Sequence, residues 1–148
     1  MKRIHFLLGI QSLLAIFVSI NRLSTLTLGY VLPNEFLRWV DFNNMLVIPL
    51  ISLVATYLLK KTIEYNSPLR DGRAHIAWNL VFIIGLYFTA ASYGDHEVTN
   101  YLHVRFCSND ATSDLCRIVI FNDDEFSHWI FFTGFIMVSA AILFIQNL

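Results

Sequence analysis

The stretch IAWNLVFIIGLYFTAAS, residues 76–92, excludes Asp, Glu, Lys and Arg, and YGDHEVTNYLH (93–103) follows it directly. About 20 apolar residues are needed to cross the hydrocarbon core of a bilayer as a helix. The first stretch approaches that length, and the second crowds Asp95, His96, Glu97, Asn100 and His103 at its end. Three further runs share this character: IHFLLGIQSLLAIFVSI (4–20), MLVIPLISLVATYLL (45–59) and WIFFTGFIMVSAAILFIQ (129–146), none with a charged residue. The second of these is short and carries Pro49, but residues from Phe42 onward can extend it.

The remainder of the chain agrees. It has 148 residues, of which 56% are hydrophobic and 14% charged, and its mean hydropathy is +0.58. Four long apolar runs in so short a chain leave too little polar sequence to cover them. The expected fold is therefore all-α: a polytopic membrane protein with a single four-transmembrane-helix bundle over residues 1–148. The helices are expected at about 4–21, 42–60, 75–93 (extending to about 103) and 124–146. Lys2 and Arg3 before the first run resemble the start of a signal peptide, but no small-x-small cleavage pattern follows FVSINRLS, so a retained helix is expected. Residues 22–40 are too long for a tight turn and apolar enough for a short interfacial helix starting near Pro33 or Asn34, between helices 1 and 2.

Orientation follows from the distribution of Lys and Arg. Four crossings put both termini on the side of the 60–75 loop. That side carries Lys2, Arg3, Lys60, Lys61, Arg70 and Arg73; the other carries Arg22, Arg38, Arg105 and Arg117, with most of the acids. The termini are expected to be cytoplasmic. Cys107 and Cys116 then fall in an outer loop, where a disulfide persists. There is no Cys-x-x-Cys pair, which sets thiol-oxidase chemistry aside. Trp39 and Trp129 suit an outer aromatic belt and Trp78 an inner one.

Each helix brings polar residues to its outer end: Asn21 and Arg22, then Asp41, Asn43 and Asn44, then the 94–103 stretch, then Asn122 to Glu125 with His128. Much of this is ordinary helix-end chemistry. Asn122 and Glu125 have the spacing of a capping box, and acids favour a helix start. Arg22 and Asp41, at neighbouring ends, suggest a structural salt bridge. Gln11 and Asn79, inside helices, suggest interhelical hydrogen bonds. His5 and His75 read as interfacial residues.

The histidines at 96, 103 and 128 ask for more. His96, Asn100 and His103 share one helix face at i, i+4 and i+7, although the two histidines stand roughly 10 Å apart along the axis. Asp124 and His128 are an i, i+4 pair, and Glu125 and His128 have the Glu-x-x-His spacing of di-metal carboxylate bundles. His96, His128 and Asp124 would supply the three protein ligands of an open zinc site, with Asn100 or His103 completing or orienting it. HEVTN (96–100) departs from the His-Glu-x-x-His pattern of metalloproteases, because Asn100 stands where the second histidine belongs.

The expected function is metal-dependent hydrolysis of a lipid or lipid-like molecule at the outer face. A bound divalent metal, zinc first, would lower the pKa of its water; Glu97, Glu125 and Asp95 are the candidate bases. Imidazole also suits copper and iron, which would make the chemistry redox. A haem held by His96 with His128, or by His5 with His75, is another redox reading. A third class is a non-catalytic accessory subunit whose polar rim docks a larger membrane complex. The discriminating geometry is whether Asp124 and His128 lie within about 5 Å of His96 or His103, the span across which three groups share one ion. Membrane lipid is the expected partner, with a homo-oligomer or a larger complex left open. The chain has no glycine-rich phosphate loop and no basic aromatic patch, so no nucleic-acid partner is expected.

Overall fold

The computed structural model describes residues 2–65 and 72–147. The turn around Pro68, Arg70 and Asp71 lies outside the described residues. Four helices account for nearly all the rest: α1 (Lys2–Leu23), α2 (Trp39–Glu64), α3 (Arg73–Cys107) and α4 (Asp114–Gln146). All four are long and apolar enough to span a membrane. Large apolar side chains such as Phe6, Ile16, Phe17, Ile83 and Phe135 point outward from the bundle. Such a surface is costly in water and ordinary against lipid tails.

α3 and α4 form the closest pair, and small residues make that possible. A Cβ on Gly134 would lie 2.7 Å from the Gly85 carbonyl oxygen and 2.8 Å from the Thr89 backbone nitrogen. One on Gly85 would lie 2.9 Å from Met137 Cβ. Glycine at both positions lets the two backbones approach closely. On α4, Ser127, Gly134 and Ala141 recur every seven residues and are all buried, so one stripe faces α3 throughout. Trp78 stacks on Phe144 with centroids 4.2 Å apart near one end, and Tyr93 meets Phe131 edge-on at 5.8 Å toward the other.

α1 packs on α2 through polar groups. Gln11 Nε2 donates to the Ser52 carbonyl and to Thr56 Oγ1, both at 2.7 Å, and Ser52 Oγ returns a bond to Gln11 Oε1 at 2.6 Å. Nearer the disulfide end, Asn21 Nδ2 donates to Asn44 Oδ1 at 2.7 Å. These are interhelical bonds of the kind expected of Gln11. Asn79 also bonds across helices, accepting from Lys60.

Three helices contain a π-helical turn at the disulfide end: Asn43–Val47 in α2, His103–Cys107 in α3 and Asn122–Phe126 in α4. In α2 the turn precedes Pro49, which has no N–H to give a regular helix. Each wide turn admits an extra residue, and one residue is worth about 100° of rotation. Side chains before the turn therefore face differently from those expected of an unbroken helix.

Two expectations about this end need correction. No interfacial helix starts near Pro33 or Asn34. Residues 24–38 form a folded loop closed by a bridge between Tyr30 and Arg38, with Val31 N bonded to the Leu37 carbonyl at 2.8 Å and Trp39 N to that of Gly29 at 2.9 Å. Thr25, Thr27, Tyr30 and Val31 favour extended backbone, and Glu35 turns the chain with φ of 57°. The fourth helix, meanwhile, starts at Asp114 rather than 124, capped by the Ser113 hydroxyl, which accepts from Cys116 N at 3.4 Å. Asn122 and Glu125 therefore lie inside a helix and form no capping box; Asn122 Nδ2 bonds back to the Ile118 carbonyl at 2.8 Å.

The Cys107–Cys116 disulfide joins α3 to the first turn of α4, with Cα atoms 5.4 Å apart. In the loop it closes, the side chain and backbone of Ser113 and the side chain of Thr112 bond Asp110 and hold its carboxyl below the usual range.

Candidate metal centre and its two cavities

Asp123 is the hub of the disulfide end. It is 1% exposed and lies on the α4 face that carries Ser127 and Gly134. Its Oδ2 accepts from His103 Nδ1 at 3.0 Å and from Asn100 Nδ2 at 3.3 Å. Its Oδ1 lies 3.1 Å from His96 Nδ1, and its backbone carbonyl lies 3.1 Å from the same nitrogen. A ring nitrogen carries one proton, and the carbonyl has the better-aligned bond. Oδ1 is accordingly left without an aligned donor among the described residues. Ser127 Oγ also donates to that carbonyl, at 2.7 Å.

One carboxylate thus engages two histidines a full two turns apart on α3. Nδ1 is the engaged atom in both rings, which leaves both Nε2 atoms for other partners. A carboxylate behind an imidazole in this way fixes the ring's orientation and tautomer.

The ligating atoms of His103, Asp123 and Asp124 all lie within 4.8 Å of one another. One imidazole with two carboxylates is a donor set that zinc, iron and manganese accept. Asp123 was not among the residues expected from the sequence. Its place next to Asp124 in NDDE reads as helix-start chemistry, and the i, i+4 spacing to His128 draws attention to Asp124. The signal that could have found it is the α3-facing stripe of Ser127, Gly134 and Ala141, which Asp123 extends by one turn.

The other expected residues divide. Asp124 is exposed at the rim and brings an oxygen to the cluster. His128 is exposed and meets His96 edge-on with ring centroids 5.1 Å apart. A haem iron takes two imidazoles from opposite faces of its macrocycle, an arrangement that rings in mutual contact do not offer. Asn100 links the cluster to α1: it donates to Asp123 and accepts from Arg22 at 2.9 Å. Glu125 is exposed, and Asp95 Oδ2 is buried with no hydrogen-bond partner among the described residues.

Glu97 is 3% exposed and pairs through Oε1 with Arg22 at 2.6 Å. The suggested Arg22–Asp41 bridge does not form. Arg38 grips both oxygens of Asp41 instead, at 2.7 and 2.8 Å, and that bond holds the Arg38 pKa above its ordinary value. The α1 end is thereby tied to α3, and the loop end to α2.

Two cavities flank Glu97. One of about 220 Å³ is bordered by Arg22, His96, Glu97, Ser127, His128 and Phe131. The other, of about 260 Å³, lies beside Leu37 and Phe36 of the folded loop and is bordered also by Met45, Glu97, Val98 and Leu102. Tyr101 OH donates to the Glu35 carbonyl at 2.8 Å and so pins the loop next to this second cavity.

The opposite end carries a second polar network. Lys60, 2% exposed, donates to Glu64 Oε1 at 2.9 Å and bonds Asn79; His75 bonds the same Glu64 oxygen. His75 is therefore a member of a buried cluster rather than a free interfacial residue. Lys60/Glu64 and His75/Asn79 are both i, i+4 pairs on facing helices, and that coincidence was readable.

Comparison with protein families, with curated proteins and with solved structures finds no match to this chain.

Proposed function

We propose that this is a membrane-embedded metal hydrolase acting at the outer membrane face on a lipid or lipid-like substrate. In this reading both termini and the Lys60 end are cytoplasmic. The observation that carries it is Asp123: a fully buried carboxylate that meets two histidines on one side and borders Asp124 on the other. His103, Asp123 and Asp124 would hold the ion, and a divalent metal held there supplies an activated water. His96, held at Nδ1 by Asp123, lines the smaller cavity and would accept a proton through Nε2, a role assigned from the sequence to Glu97, Glu125 or Asp95. Arg22 borders the same cavity with a positive charge suited to a carbonyl or phosphoryl oxygen gaining negative charge.

Elemental analysis of protein purified in detergent, paired with release of fatty acid or headgroup from mixed vesicles, tests the reading. The expected result is about one equivalent of metal in the wild type, loss of metal in His103→Ala, and retained metal without turnover in His96→Gln. A wild type without metal after reconstitution with zinc, iron or manganese would sink it. Reporter fusions at residue 70 and at the C-terminus test the orientation, which fails if residue 70 reports outside.

A further inference from the structure

The cavity beside the 24–38 loop is a different kind of space from the one that holds His96. Its walls are mainly apolar: Phe36, Leu37, Met45, Val98, Leu102 and Phe106. Its polar groups are Asp41, Glu97, Tyr101 and Arg105, and most of these are already satisfied. Arg38 takes both oxygens of Asp41. Arg105 bonds the Glu35 carbonyl and the Tyr101 hydroxyl, and its guanidinium lies over the rings of Tyr101 and Phe106 at 5.6 and 5.4 Å. Glu97 Oε1 has Arg22.

One polar atom is left over. Glu97 Oε2 is buried and has no hydrogen-bond donor among the described residues. A buried acceptor without a donor is costly, so a ligand that brings one gains the difference. Charge decides what sort of donor. Asp41 and Glu97 each face a guanidinium already, so a cationic headgroup would enter with no unmatched anion to meet it. An anionic one would face the bare Glu97 oxygen, and the one cation of the wall among the described residues, Arg105, is exposed to solvent and already bonded to the Glu35 carbonyl and the Tyr101 hydroxyl. A charge desolvated without a partner is strongly disfavoured. A neutral hydroxyl meets the need without adding charge.

We infer that this cavity binds the chain of a neutral, hydroxyl-headed single-chain amphiphile, with the hydroxyl donating to Glu97 Oε2. This rests on the proposed function only in supplying its substrate class, since Glu97 also borders the cavity of His96. The binding itself requires no metal.

Met45 provides the readout, because its methyl group belongs to a residue of the cavity wall while Met137 lies in the α3–α4 contact. Protein labelled with ¹³C at the methionine methyls, in nanodiscs, is titrated with 1-decanol, decyltrimethylammonium and decanoate, and its metal content is measured in parallel. The expected result is a saturable shift of the Met45 methyl with decanol, an affinity at least tenfold weaker for the two charged probes, and no shift at Met137. Glu97→Leu should weaken decanol at least tenfold. Val98→Trp, which fills the cavity from an exposed position and leaves the Arg22 pair intact, should abolish the Met45 shift even if Glu97→Leu does not fold. A Met45 signal unmoved by decanol, or moved equally by all three probes, overturns the inference. Decanol binding by a protein that takes up no metal would keep the inference and discard the hydrolase; metal without decanol binding would do the reverse.

Discussion

Asp123 and His103 are joined across the α3–α4 boundary, Oδ2 to Nδ1 at 3.0 Å, and both lie in π-helical turns on either side of one disulfide. The covalent link and the hydrogen bond therefore fix the same junction. Neither helix could rotate there without breaking one of them.

The two neighbouring aspartates should respond differently to substitution. Asp123→Asn leaves His96 and His103 facing a neutral amide inside the bundle, and loss of a buried charged acceptor costs about 1–3 kcal/mol. Asp124→Asn changes an exposed residue and should leave the unfolding midpoint nearly unmoved, while weakening metal uptake. Thermal unfolding and metal analysis of the two variants, side by side, check this. Equal stability loss in both would show that the cluster is not centred on Asp123.

The α3–α4 contact depends on what Gly134 lacks. A methyl group there would sit 2.7 Å from the Gly85 carbonyl oxygen and from Thr89 Oγ1. Backbone atoms cannot step aside as a side-chain tip can, so the helices must separate. Gly134→Ala should destabilise by about 1–3 kcal/mol, in the range of overpacked cores, and Gly134→Leu by more. Gly9, which has open space around its Cβ, is the control: Gly9→Ala should be neutral or slightly stabilising. Unfolding followed by circular dichroism in mild detergent distinguishes them.

How much of this was legible follows from the kind of signal each feature leaves. Charge-free runs of near-membrane length are a composition signal, and they located four apolar helices without knowledge of packing. His96 and His103 stood out because imidazoles at i and i+7 on an otherwise apolar helix are conspicuous. Asp123 was hidden because acids beside a helix start have an ordinary explanation, and because the helix start itself was misplaced by ten residues. That misplacement has a cause: α4 begins in DLCRIVIF (Asp114–Phe121), whose apolar character was credited to the loop. The π turns were not readable, since they arise from tertiary packing at one end of the bundle. Asp123 faces inward one turn before Ser127, while Asp124 and His128 stay exposed.

Reduction of the disulfide should loosen the site before it unfolds the bundle. Closing a loop of about ten residues lowers the entropy of the unfolded chain and stabilises by about 3 kcal/mol. Cys107→Ser/Cys116→Ser, or wild type with reductant, should lose about that much and should show faster hydrogen exchange over 103–126. Exchange over the Gly85–Gly134 contact should change little. Uniform acceleration along α3 and α4 would mean that the two ends are one cooperative unit.

The Lys60 end supplies the last test, because there a buried ion pair within α2 faces α3. Lys60 and Glu64 are 2% and 3% exposed, and Asn79 and His75 complete their bonding from the facing helix. Removing one charge strands the other: Lys60→Met leaves Glu64 buried with Lys61 and His75 as its remaining partners. A broken buried pair typically costs about 3–5 kcal/mol, whereas apolar replacement of both members is often neutral. Lys60→Met should therefore destabilise strongly, and Lys60→Met/Glu64→Leu should regain most of the loss. The regained part measures the stranded charge, and what is still missing measures the bonds to His75 and Asn79. If the double variant is as unstable as the sum of its two singles, Lys60 and Glu64 act independently and no stranded charge underlies the loss.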